Sequence, residues 1–365
     1  MSSVTISAIA HALPTGRIGH AELVERFGEK AMRSIARMSG ITERRVAPPG
    51  QCASDLAEAA VRRLLDRRAI DPADIDLLIF TSQTPDYRSP ATASILLGRL
   101  GIDESCAAFD INQACAGYIH ALQVGHALLA SGQYRRALLL NADVLTQRIH
   151  PKDQTMVPLT GDGAVATLLE SIAAEKGGFE FFRIGNDGSQ YHRLFVPAGG
   201  ARMPSSATTA TPKTDAAGVT RSLDDMHMDG PAVFHFAVYK VAGFIKDVLA
   251  EKNIAVADFD TILLHQANKT MIDLIYKSIG AQPSQQFSNL QEVGNLAAAS
   301  LPCLLSQAWR EKIVKPGSRT LLCGFGGGLS WGLAVIRWPE DADAAIAGDV
   351  DVPFVPADHR REAAS

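Results

Sequence analysis

No apolar run in the 365 residues approaches the ~20 needed to cross a bilayer. The amino-terminal segment MSSVTISAIAHALPTGR has no basic leader. The expectation is a cytoplasmic protein that neither inserts into nor crosses a membrane. Cysteine is scarce and unpaired in pattern: Cys52, Cys106, Cys115, Cys303 and Cys323 form no CxxC and no metal-type spacing. Their odd number argues against a disulfide framework, so reduced thiols and no metal are expected. Basic runs are also missing. The final 27 residues carry a charge of -5 and the preceding 338 about +1, which leaves no cationic stripe for nucleic acid. That last stretch, 339–365, is acidic and contains three prolines, and it reads as a flexible tail outside the compact fold.

With 47% hydrophobic residues, the remaining chain can bury a large core. ADIDLLIFTSQ (73–83) aligns on ADFDTILLHQA (257–267) at an offset of 184 residues, and the runs beginning at Arg135 and Ser318 align at 183. Leu77–Phe80, Leu138–Leu140, Ile262–Leu264 and Thr320–Cys323 are apolar without alternation, as strands covered on both faces are. A layered α/β fold of two related halves follows, 1–172 and 173–338. The segment 197–230, rich in Gly, Pro, Ser and Thr, reads as a long loop that either walls a site or moves freely.

In FDINQACAGYIHALQ, Cys115 follows a β-prone run and opens a helical one that ends near Gly132. A thiol in the first turn of a helix meets unpaired N–H groups and the positive end of the helix dipole, which lower its pKa from about 8.5 toward neutrality. Ala114, Ala116 and Gly117 leave room for a substrate carbonyl. Inert packing remains open on these residues alone. His265 in LLHQANKT stands directly after a strand, at the repeat position of Thr81, where α/β folds place catalytic groups. Asn295 in EVGNLAAAS corresponds to Asn112, three residues from Cys115, and CGFGGGLSWG (323–332) allows close backbone approach.

Taken in order, SGITERRV (39–46), CAGY (115–118), GDGAVATLL (161–169), HQAN (265–268), GNLAAASLP (294–302) and GFGGGLSWG resemble the thiolase superfamily. The resemblance is closest to β-ketoacyl-acyl-carrier-protein synthase III and runs from about Val4 to Trp338. It implies a five-layered αβαβα fold from two pseudo-symmetric halves, and a homodimer. It also implies Cys115 as the acylated nucleophile, His265 and Asn295 as the pair assisting decarboxylation, and the N–H groups of Cys115 and Gly327 as the oxyanion hole. No bound cofactor is implied. The substrates would be acyl-CoA or acyl carrier protein thioesters, joined by decarboxylative Claisen condensation.

Some positions depart from the pattern. Where relatives clamp the nucleotide end of CoA with a Trp and two Arg, Ser34, Met38 and Gln154 stand here. Thr270 and His235 replace carrier-docking bases, whereas Lys269 and Lys277 remain, and Ser89 takes the place of a bulky tunnel cap flanked by Tyr87 and Arg88. These differences suggest a specialised ketosynthase, in fatty-acid, polyketide or other secondary metabolism, with an unusual donor. The alternatives are acyl transfer without decarboxylation, ring-forming condensation, or an inactive partner subunit.

Overall fold

The computed structural model describes residues 2–342 and 347–353. Its first sheet contains β1 (Ser2–Pro14), β2 (Leu77–Thr81), β3 (Ala107–Ile111), β4 (Arg136–Asp143) and β5 (Gly163–Ala173). The second contains β6 (Gly178–Asn186), β7 (Thr261–Leu264), β8 (Arg319–Gly326) and β9 (Ser330–Arg337). A last strand, β10 (Ala347–Val352), returns to the first sheet. The strand orders are β10-β1-β5-β4-β2-β3 and β7-β8-β9-β6.

The apolar runs without alternation are sandwiched strands. All five residues of β2 and all four of β7 are buried. Helices α1 (Ala53–Arg68) and α2 (Thr92–Leu100) cover the outer face of the first sheet. Helices α3 (Gly117–Ala130) and α6 (Ser300–Arg310) fill the space between the sheets. Helices α4 (Ala242–Glu251) and α5 (Lys269–Ile279) close the outer face of the second sheet. This gives the five-layered α/β fold.

The offset of 183 also holds in the backbone. The turns Ala114–Ala116 and Ala297–Ala299 lead into α3 and α6, and each begins on an alanine in the left-handed region, φ 44° at Ala114 and 51° at Ala297. An L-residue held there costs of order 1–3 kcal/mol, so two such positions in register mark a turn that the surrounding packing imposes.

One region differs from expectation, and a second takes one of its two expected forms. Within the stretch read as a flexible tail, residues 347–352 form β10, parallel to β1 from Ile9 opposite Ala347 to Pro14 opposite Val352. Asp351 pairs with Arg45 and Asp349 with Arg310, so the acidic residues serve as counter-ions for a strand that covers a sheet edge. Residues 343–346 and 354–365 lie outside the described residues. The 197–230 segment is likewise tied down. Short antiparallel pairs join Lys213–Thr214 to Thr220–Arg221 and Leu194–Phe195 to His227–Met228. Arg221 Nε donates to the buried Asp153 carboxylate at 2.7 Å, and Met226 N–H to Arg148 O at 2.7 Å.

Candidate active site

Cys115 lies buried in the turn between β3 and α3, where small residues let the second sheet come close. β8 delivers Gly324 and Gly326 against this turn. A Cβ on Gly324 would lie 3.2 Å from Ala116 Cα, and one on Gly326 would lie 2.6 Å from Cys115 Cβ and 2.9 Å from its Sγ. On the first sheet's side, a Cβ on Gly117 would lie 2.4 Å from Thr81 Cγ2. Glycine in these places is a matter of space.

The turn Gly327–Leu329 follows β8, with positive φ at Gly328 (80°) and Leu329 (33°). Two N–H groups act on the Cys115 sulfur, its own and that of Gly327, and both favour the thiolate. Burial opposes them, followed by the negative field of Asp143, and the thiol is pushed up to about 12. The lowering toward neutrality expected from the helix start is therefore outweighed. Desolvation of a charge in an apolar nest made by Leu145, Ile149, Met156 and Met226 is the larger effect.

His265 stands at the end of β7. That strand runs parallel to β8 with Leu264 opposite Cys323, and His265 N–H donates to Cys323 O at 2.8 Å, which sets the histidine beside Gly324 and hence beside the cysteine turn. Its ring packs edge-on to Phe325 with centroids 5.4 Å apart. Nδ1 is buried with no partner among the described residues, and burial lowers the imidazole to about 3, so it is neutral at physiological pH.

Asn295 is held through its backbone. Its N–H donates to Leu159 O, and its carbonyl accepts from Gly161 N–H, both at 2.9 Å. The side-chain oxygen accepts from Ala297 N–H at 2.9 Å and from Ser300 Oγ at 3.2 Å. Because both partners are donors, the amide orientation is determined and Nδ2 is left to donate elsewhere. The turn that follows, Ala297–Ala299, packs against the Ala114–Ala116 turn, and Ala297 belongs to the apolar cluster around Cys115. Asn112, the repeat counterpart of Asn295, is exposed.

One residue escaped the sequence reading. Asp143, fully buried at the end of β4, accepts from Gln83 N–H (2.7 Å), Ser82 Oγ (3.1 Å) and Thr84 Oγ1 (3.3 Å) on one oxygen, and from Ala298 N–H (3.0 Å) on the other. It thus ties the loop after β2 to the turn after Asn295, and burial raises its pKa. The signal was present as an acid at the end of an apolar strand, at the repeat position of Gly326. Met226 and Met228 also join the cluster around Cys115, so the 197–230 segment walls the site.

Of the departing positions, Ser34, Met38, Ser89, His235 and Thr270 are exposed, whereas Gln154 is half-buried under the 197–230 segment near Gly218. Among the described residues no group of three His, Cys, Asp or Glu could hold a metal, and no helix is long and apolar enough to cross a membrane.

Residues 109–188 match the family model for 3-oxoacyl-(acyl-carrier-protein) synthase III, and residues 249–338 match the model for its C-terminal part. The chain is 35% identical over 337 residues to β-ketoacyl-(acyl-carrier-protein) synthase III 3 of Streptomyces coelicolor, covering 92% of this chain and 97% of the relative. A solved 3-oxoacyl-(acyl-carrier-protein) synthase III from Burkholderia xenovorans superposes with a TM-score of 0.86 at 30% identity, covering 96% of this chain and 98% of that one. The priming β-ketosynthase of the R1128 polyketide pathway superposes with a TM-score of 0.80 at 26% identity, with coverages of 92% and 96%.

Proposed function

Because the chain belongs to the 3-oxoacyl-(acyl-carrier-protein) synthase III family of acyltransferases, we propose a specific course for its condensation. An acyl thioester loads Cys115, and the acyl group then joins a malonyl-type thioester with loss of carbon dioxide. In the first half-reaction the Cys115 sulfur attacks the thioester carbonyl, and the oxyanion is received by the Cys115 and Gly327 N–H groups. The departing thiol leaves with the proton that the cysteine loses. Removing one such donor typically costs ~10²-fold or more in rate.

In the second half-reaction, decarboxylation places negative charge on the thioester oxygen as an enolate. Attack of the enolate carbon on the acyl carbonyl forms the new carbon–carbon bond and releases the Cys115 sulfur as a thiolate, which takes a proton from solvent to restore the thiol. The observation that carries this reading is the state of two donors. The Asn295 carbonyl oxygen is already occupied, which aims its amide as a donor, and burial keeps His265 neutral. Uncharged donors suit an enolate, whereas an acid in place of Asn295 would repel it.

The donor is proposed to be carried on a protein or to be an unusual thioester, in a specialised fatty-acid or polyketide pathway. Ser34 and Met38 offer neither a ring nor a guanidinium to a nucleotide, and stacking or cation–π contacts of that kind contribute about 0.5–2 kcal/mol each. A homodimer belongs to the proposal, since β3 is the last strand of its sheet and a second copy would continue the ladder. Intact mass spectrometry with a panel of acyl-CoA and acyl-carrier-protein thioesters tests the donor, and efficient loading by acetyl-CoA would refute it. For the mechanism, Asn295→Ala should still be acylated at Cys115 but fail to release carbon dioxide from malonyl thioester. Normal condensation by that variant would refute the assigned role.

A further inference from the structure

Behind Ile149 and Val157, two side chains of the cluster around Cys115, lies a separate cavity of about 570 Å³ that does not include the cysteine. Its size falls in the range of small-molecule sites. Ile18, Val46, Ala47 and Pro49 give it apolar walls, and its only cationic lining residues are Arg26 and Arg44.

Arg44 is 1% exposed. Its Nη1 donates to the carbonyls of Val157 and Thr160, whereas Nε and Nη2 are buried without a partner. Those two nitrogens form one edge of the guanidinium, the edge whose parallel N–H bonds fit the two oxygens of a carboxylate. Among the described residues Arg44 has no ion pair. Glu22 lies against Arg26 at 3.5 Å, and the Asp162 oxygens accept from Ala47 N–H and from Thr146. Burial first, and then the like charge of Arg26, push the Arg44 guanidinium down to about 10, against the smaller opposing influence of Glu22 and Asp162. A buried cation without a counter-ion is costly, and an anion between the two arginines would relieve both the repulsion and the unmet donors.

We propose that this cavity binds a medium-chain fatty carboxylate. Its head would take the free edge of Arg44 and reach Arg26, and its chain would lie on Ile18, Val46 and Ala47. The site is separate from the proposed thioester site; the test uses the reading of Cys115 only to block that site, and the readout at Arg44 and Arg26 is independent of condensation.

The test is isothermal titration of sodium decanoate into protein whose Cys115 has been alkylated with N-octylmaleimide, so that the acyl site is filled. Saturable binding with one site per chain is expected, with no comparable binding of decanol. Arg44→Met should weaken decanoate binding by about ten- to a hundred-fold, the usual span for hydrogen bonds to a charged group. Arg26→Met should weaken it less, and because Arg26 is partly exposed this variant remains informative if Arg44→Met does not fold. Absence of saturable binding, equal binding of decanol, or unchanged affinity in Arg26→Met would overturn the proposal.

Discussion

Substituting Gly326 with alanine tests the proposed role of Cys115 while leaving Cys115, His265 and Asn295 themselves unsubstituted. Gly326 has φ 170°, extended backbone that any residue adopts, so alanine adds no backbone strain. What it adds is a methyl group 2.6 Å from Cys115 Cβ, 2.9 Å from Sγ and 3.3 Å from the Cys115 nitrogen. Carbon atoms in ordinary contact sit about 3.5–4.0 Å apart, so one side of the junction must retreat by about 1 Å. A misplacement of that size costs of order 10² in rate, and loss of one oxyanion donor a similar factor. Acylation of Gly326→Ala should therefore fall by ~10²- to 10⁴-fold, while overpacking lowers stability by only about 1–3 kcal/mol. Time-resolved intact mass of the acyl-enzyme measures the first quantity and thermal denaturation the second. Gly243→Ala, where nothing lies within 4 Å of the new methyl, is the matched control. A folded Gly326→Ala protein that acylates at the wild-type rate would refute the close-approach argument.

Three further outcomes follow from the site and its surroundings. Ser300→Ala removes one of the two donors on the Asn295 oxygen and should slow malonyl decarboxylation about tenfold through misorientation, leaving acylation intact; equal loss in both half-reactions would show a general packing defect. His265 titrates at about 3 in the fold against 6.5 when free, so as pH falls below 6.5 the unfolded chain takes up the proton first and stability declines. The decarboxylation rate of the folded protein should accordingly show no acid limb near pH 6.5, and a limb there that His265→Asn abolishes would contradict the buried neutral imidazole. Asp351→Asn leaves Arg45, 5% exposed in its side chain, without its charged partner. Since Asp351 is itself 61% exposed, the cost should be only about 1 kcal/mol in thermal denaturation, well below that of a fully buried pair.

The reach of the sequence can be judged from particular residues. The repeat was legible because each half buries its central strands on both faces, so Leu77–Thr81 and Thr261–Leu264 are apolar throughout and stand out against amphipathic helices. Cys115, His265 and Asn295 were legible as strand-end and turn residues for the same reason. The role of 347–352 was hidden because an edge strand with one exposed side and acidic partners looks like a polar tail until Arg45 and Arg310, far away in sequence, are placed beside it. The state of the thiol was hidden in a different way. Local sequence places Cys115 at a helix start, which favours the thiolate, but the opposing influences come from Asp143 on another strand and from Met226 in the long connecting segment. Both are non-local, and desolvation is the larger effect. Burial and Asp143 together therefore favour the neutral Cys115 thiol, against the smaller pull of the Cys115 and Gly327 N–H groups.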